Sequence, residues 1–170
     1  MAADMGATTA AGTLDVPQAR AEVWRALAVL EPYCAVCDVS YVLGGQDHDA
    51  GRGEGQAAPG IGTRFVCAPG RLDGQPPRPG APQGEILAWE PPTLVVTRLV
   101  LTPETWTTQI DLSDSGAGTR VAMTITHEPT GARRLVRRLQ RGSLRRLVQR
   151  TVDAELAKVP GHIAQLTGPV

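Results

Sequence analysis

The last third of the chain carries one long arginine-studded helical segment, roughly Arg133 to Leu166, after a series of short β-like segments. A lone long helix that follows an antiparallel run must lay its apolar stripe on a sheet. The cleanest part of that stripe is Leu144, Leu147, Val148, Val152, Leu156, Val159, Ile163 and Leu166. Gly142-Ser143 shifts its phase relative to Leu135 and Leu139, and Pro160-Gly161 inside it predicts a kink or an interruption. A curved sheet wrapped around one helix leaves a cavity between them, so a small-molecule site is the leading expectation.

The charge on this segment is lopsided. Arg133, Arg134, Arg137, Arg138, Arg141, Arg145, Arg146 and Arg150 are eight of the 17 basic residues, while the rest of the chain holds all 17 acidic ones. A general nucleic-acid binder carries a broad positive surface, and this body is acidic, so no nucleic-acid partner is expected. The arginines read as a solvated helix face, with docking to an acidic partner or an anionic surface as the functional alternative. At 170 residues, 42% of them apolar, the chain suits one domain with a core, expected over residues 11–168. Residues 1–10 are small and polar and read as a disordered terminus of a cytoplasmic protein. No apolar run approaches the roughly 18 residues of a transmembrane helix.

Ala11 to Val16 is a plausible first strand, ended by Pro17. Val23, Trp24, Leu27 and Leu30 then recur at helical spacing, and Tyr33 to Cys37 is expected to add a second short helix after Pro32. Strand-like segments follow at Asp38–Leu43, Ile61–Ala68, Gly84–Glu90, Leu94–Leu101, Thr105–Leu112 and Thr119–His127. The Gly/Pro-rich stretches Gly44–Gly60 and Pro69–Gln83 between them are expected to be exposed and mobile loops.

The last two strands alternate most clearly. Trp106, Thr108, Ile110 and Leu112 share one face, and so do Val121, Met123, Ile125 and His127. His127 is therefore the histidine of a predicted buried face, and it titrates near neutrality. Pairing Ile110 with Val121 would set Glu104 opposite His127 as a carboxylate–imidazole pair. A register two residues along would set Trp106 there instead. Either way, the group is as readily a packed rim residue as a general acid or base.

Cys34, Cys37 and Cys67 are an odd number without a secretory pattern, so no disulfide scaffold is expected. Cys34-Ala-Val-Cys37 fits C-x-x-C, but a short helix and Glu31-Pro32-Tyr33 precede it where a thioredoxin-type site has a strand. A zinc site would need a second ligand pair, and His48, His127 and His162 stand at no suitable spacing. Small buried thiols are the expectation, with no metal and no cofactor. Ser143 has no histidine or acid at motif spacing, which leaves serine-hydrolase chemistry unsupported.

Several local patterns resemble the START-like helix-grip superfamily, also called SRPBCC. They are Val16-Pro17 before Glu22-Val23-Trp24-Arg25-Ala26-Leu27, Gly62-Thr63-Arg64-Phe65, Trp89-Glu90-Pro91-Pro92, Glu104-Thr105-Trp106 and Gly118-Thr119-Arg120-Val121. The likeness is nearest to its polyketide cyclase/dehydrase-like branch and covers the chain apart from its start and the two long loops. It implies an α+β fold in which a curved antiparallel sheet of about seven strands grips the last helix, with two short helices after the first strand. It also implies a cavity for a hydrophobic or polycyclic, polyketide-like ligand and a setting in antibiotic biosynthesis. The His/His/Asp metal ligands of ring hydroxylases are not matched.

Two functions stay open on this resemblance, and fold alone does not choose between them. One is a cyclase/dehydratase using His127 with Glu104 or an inward arginine, Arg64 or Arg98. The other is a non-catalytic carrier or sensor. Tyr33, Arg64, Phe65 and Arg98 are expected to contact the ligand. So are Trp106, Thr108, Met123, Ile125 and Leu156. The expected assembly is a monomer or homodimer.

Overall fold

The computed structural model describes residues 6–30, 32–44, 59–101, 104–129 and 137–167. The elements run β1 (Thr8–Val16), α1 (Arg20–Leu27), β2 (Val39–Leu43), β3 (Arg64–Pro69), β4 (Gln83–Glu90), β5 (Leu94–Leu101), β6 (Glu104–Ser115), β7 (Gly118–Pro129) and α2 (Arg137–Thr167). All seven strands form one curved antiparallel sheet in the order β1-β7-β6-β5-β4-β3-β2. Because β1 and β2 are its two edges, α1 and the turn after it carry the chain from one edge to the other. The long helix α2 lies across the concave face and packs on β1, β7 and α1.

Alternation builds the inner face as the sequence predicts. Val121, Met123, Ile125 and His127 on β7 are all buried, and Leu112 joins them from β6. Opposite them, Val148, Val152, Leu156, Val159 and Ile163 are the buried stripe of α2. Each such side chain contributes about 1.5–3 kcal/mol on burial. Gly12 of β1 sits under this stripe, where a Cβ would come within 2.8 Å of Leu156 Cδ1 and 3.0 Å of Val152 Cγ1. The missing side chain lets the helix approach the edge strand closely.

Four local expectations change. β1 begins at Thr8, inside the stretch expected to be disordered, because Thr8, Thr9 and Ala10 pair with His127, Thr126 and Ile125. Residues 33–37 form no second short helix. Cys34 instead makes a β-bridge to Val39, and Asp38 turns the chain in the left-handed region at φ 52°. The strand expected from Ile61 starts at Arg64, since Thr63 N–H donates to the Gly60 carbonyl at 3.0 Å and holds a turn. Finally, α2 is not interrupted at Pro160-Gly161. Proline in a helix interior costs about 3 kcal/mol, which the burial of Val159 and Ile163 on either side offsets.

The stretch 70–82 lies mostly exposed between β3 and β4. Most of the other long loop, and the expected helix start at Arg133, fall outside the described residues. Arg145, Arg146 and Arg150 are exposed, in keeping with a solvated face. Among the described residues no helix is long and apolar enough to cross a membrane.

Candidate ligand-binding cavity

Between the sheet and α2 lies a cavity of about 670 Å³. Its sheet wall is apolar: Val95, Leu99 and Leu101 of β5, Trp106 and Ile110 of β6, and Met123 and Ile125 of β7, with Thr97 and Thr108 among them. The helix wall is the stripe beside the buried one, Leu147, Thr151, Glu155, His162 and Leu166, and it shares Val159 with the buried stripe. Steps of three or four residues align these on one side of α2. Leu147 and Leu166 are 52% and 45% exposed, and Val29 after α1 is 41% exposed. Apolar side chains that both line the cavity and meet solvent mark where it opens.

The expected ligand contacts divide cleanly. Phe65, Trp106, Thr108, Met123 and Ile125 line the cavity. Arg64 and Arg98 do not, because each sits one residue out of phase with the inward positions of its strand. Arg64 precedes inward Phe65 and is exposed, while Arg98 lies between Thr97 and Leu99 and pairs with Glu85 at 2.8 Å on the outer face. Tyr33 is also outside the wall. Its hydroxyl donates to Asp38 Oδ1 at 2.8 Å, and the Arg71 guanidinium lies 4.1 Å above its ring. Leu156 is buried one stripe away against Gly12. Arg25, near the end of α1, is the arginine that does reach the cavity wall.

His127 and Glu104 combine both registers considered above. The strands pair Trp106 with His127, and Ile110 with Met123. Glu104 nonetheless reaches diagonally, so that Glu104 Oε2 stands 3.1 Å from His127 Nε2. The imidazole is 1% exposed, and its Nδ1 has no hydrogen-bond partner among the described residues. The Trp106 indole packs edge-on against it, with ring centroids 4.7 Å apart. Trp106 lines the cavity whereas His127 and Glu104 do not.

The far end of the cavity gathers the three cysteines with His162, which its spacing in the sequence set aside as a metal ligand. Cys34 and Cys37 from the turn, Tyr41 from β2, Cys67 from β3 and His162 from α2 all line it. Cys34 Sγ lies 3.7 Å from His162 Nδ1, and Cys37 Sγ lies 3.5 Å from His162 Nε2. Burial, and then the neighbouring Cys34, push the Cys37 thiol up to about 12. Burial likewise raises Cys67, and raises the Tyr41 hydroxyl together with the nearby thiols. Burial alone would lower the Lys158 ammonium, but its 2.7 Å contact with Glu155 more than offsets this and raises it. Burial thus keeps the Cys37 and Cys67 thiols and the Tyr41 hydroxyl in their protonated forms.

A curved antiparallel sheet gripping one long helix around such a cavity is the helix-grip fold. The structure is similar to the di-domain ARO/CYC BexL, with a TM-score of 0.64 and 12% identity, over 99% of this chain and 52% of that one. It is similar to the di-domain ARO/CYC StfQ from the steffimycin biosynthetic pathway, with a TM-score of 0.63 and 12% identity, over 94% of this chain and 50% of that one. Ara h 8.0201 gives a TM-score of 0.56 at 12% identity, over 94% of this chain and 99% of that one. The chain thus spans about half the length of the two ARO/CYC proteins, and at these identities the likeness is one of fold. No protein-family model matches the sequence, and no curated protein matches it as a relative.

Proposed function

We propose that the protein binds one hydrophobic or polycyclic, polyketide-like small molecule in the cavity, as a carrier or sensor. The observation that carries this reading is the cavity of about 670 Å³ between an apolar sheet wall and α2. Small-molecule sites run to about 300–1,000 Å³ and combine apolar walls with a few convergent polar groups. A flat fused-ring ligand would lie along Trp106, Ile110 and Met123, with its oxygens toward Arg25 or the polar end at Tyr41 and His162. The likeness in fold to the ARO/CYC proteins StfQ and BexL supports the ligand class.

Cyclisation or dehydration of such a ligand is the second reading. The Glu104–His127 pair favours it, since an imidazole held by a carboxylate is a competent general acid–base pair. Its position behind Trp106, off the cavity wall, favours binding without chemistry. Native mass spectrometry of the protein from its producing cells tests the binding reading. The expected result is one co-purified apolar molecule per chain. A broad thermal-shift screen in which no hydrophobic compound raises the melting temperature would sink it.

A further inference from the structure

We propose that Cys34, Cys37 and His162 form a zinc site whose fourth coordination position opens into the cavity. Among the described residues these three side chains bring their donor atoms within 4.8 Å of one another. A tetrahedral zinc with bonds of about 2.3 Å to sulfur and about 2.0 Å to nitrogen has sulfur–nitrogen edges of roughly 3.5 Å. The two sulfur–imidazole separations, 3.7 Å and 3.5 Å, are each close to that edge but run to different ring nitrogens. The ring presents Nδ1 to one sulfur and Nε2 to the other, so coordination needs a rotation that turns one nitrogen toward both.

The backbone prepares the site. Cys34 and Val39 exchange hydrogen bonds, Cys34 N–H to the Val39 carbonyl at 2.7 Å and Val39 N–H to the Cys34 carbonyl at 3.2 Å. They close the C-x-x-C into a tight turn that holds both thiols on one side. The turn docks on α2 through Val36, whose methyl groups lie 3.4 and 3.5 Å from where a Cβ on Gly161 would stand. Glycine beside His162 thus lets the two cysteines approach the helix that carries the imidazole.

The donor set selects the ion. Two thiolates and an imidazole suit a soft or borderline tetrahedral cation and not magnesium or calcium. Three protein ligands with the fourth position open is the arrangement of zinc sites that take up water or a substrate oxygen. Loading would displace two thiol protons to water, and the two thiolates would then neutralise the dication. The Glu155–Lys158 pair, itself neutral, lies alongside. A loaded site therefore adds no net charge to the cavity. The C-x-x-C alone is equally a redox motif, but a third side chain with a ring nitrogen beside each sulfur serves a metal and not a disulfide.

The test uses the full-length protein purified under reducing conditions, with zinc and cobalt(II) as probes. The expected result is one zinc per chain in competition with a chromophoric chelator. Cobalt(II) should give a thiolate charge-transfer band and the intense visible bands of tetrahedral coordination. Cys37→Ser and His162→Gln should each weaken zinc binding by more than about 100-fold, beyond the 10–100-fold typical of an outer-shell loss. Circular dichroism and melting curves on the metal-free variants establish that they fold. If Cys37→Ser fails to fold, His162→Gln alone decides, since it leaves the turn intact. Failure of the unaltered protein to bind stoichiometric zinc, or a folded variant that binds zinc as tightly as the unaltered protein, overturns the proposal.

Discussion

The Trp106 indole meets the His127 imidazole edge-on at 4.7 Å between centroids, yet only the indole lines the cavity. The pair divides the inner face of the sheet into a ligand wall and a packed end where Glu104 holds the imidazole. A buried imidazole with an unpartnered Nδ1 is costly to keep for packing alone.

That cost gives the first prediction. His127→Phe removes both the unpaired nitrogen and the need for Glu104, and keeps the ring contact with Trp106. Its stability should stay within about 1 kcal/mol of the native protein, since replacing a half-satisfied polar group by an apolar one of similar shape is nearly neutral. Glu104→Ala strands Nε2 as well and should cost about 1–2 kcal/mol. Urea unfolding reads both, and the reverse order would show that the imidazole is better satisfied than its neighbours indicate.

Gly84 of β4 lies under the Phe65 ring, and a Cβ there would overlap it. Gly84→Ala must push Phe65 out of its place in the cavity wall. The expected result is a loss of about 1–3 kcal/mol, the usual cost of overpacking, together with altered affinity for an apolar probe. Loss of stability with unchanged probe binding would mean that Phe65 is not a ligand contact.

Arg64→Ala and Arg98→Ala should leave probe affinity unchanged within about twofold. Arg98 pairs with Glu85 on the outer face with its side chain 44% exposed. Such a pair contributes at most about 1 kcal/mol. A tenfold loss of affinity in either variant would place an arginine inside the cavity after all.

The pH dependence follows from Tyr41. Burial raises its folded-state pKa above the ordinary 10.0. The folded state then keeps a proton that the unfolded chain gives up, so the Tyr41 contribution to stability is intact below pH 10 and is lost as pH rises beyond it, after the buried Cys37 and Cys67 thiols have begun the same loss above their ordinary 9.0. Melting temperatures recorded from pH 8 to 11 should fall at the alkaline end, and the fall should be shallower in Tyr41→Phe. An identical slope in both would assign the effect to other groups.

Much of this architecture is legible in the sequence. The alternation of Trp106 to Leu112 and of Val121 to His127 places both inner faces, and the stripe from Val148 to Ile163 places the helix on them. A hairpin register shifted by two residues preserves every face, so alternation could not choose Trp106 over Glu104 as the partner of His127. Arg64 and Arg98 show the same rule from the other side, because a one-residue phase difference moves a strand residue to the opposite face. The Cys34–Cys37–His162 cluster was hidden for another reason. Its members lie at opposite ends of the chain, and only the packing of α2 over the 34–39 turn joins them. Gly161 beside His162 is the local trace of that approach.

Thr108 lines the cavity from the middle of β6, next to Trp106 and Ile110, and Thr108→Trp would fill space there. Calorimetric titration with a fused-ring aromatic such as an anthraquinone, on the native protein and on this variant, bears most directly on the cavity. One molecule should bind per native chain with a negative heat-capacity change, the mark of apolar burial. Binding should weaken by about tenfold or more in Thr108→Trp, an effect of roughly 1.4 kcal/mol. No measurable binding to the native protein, or equal binding to a folded Thr108→Trp variant, would contradict the assignment of this cavity as the ligand site.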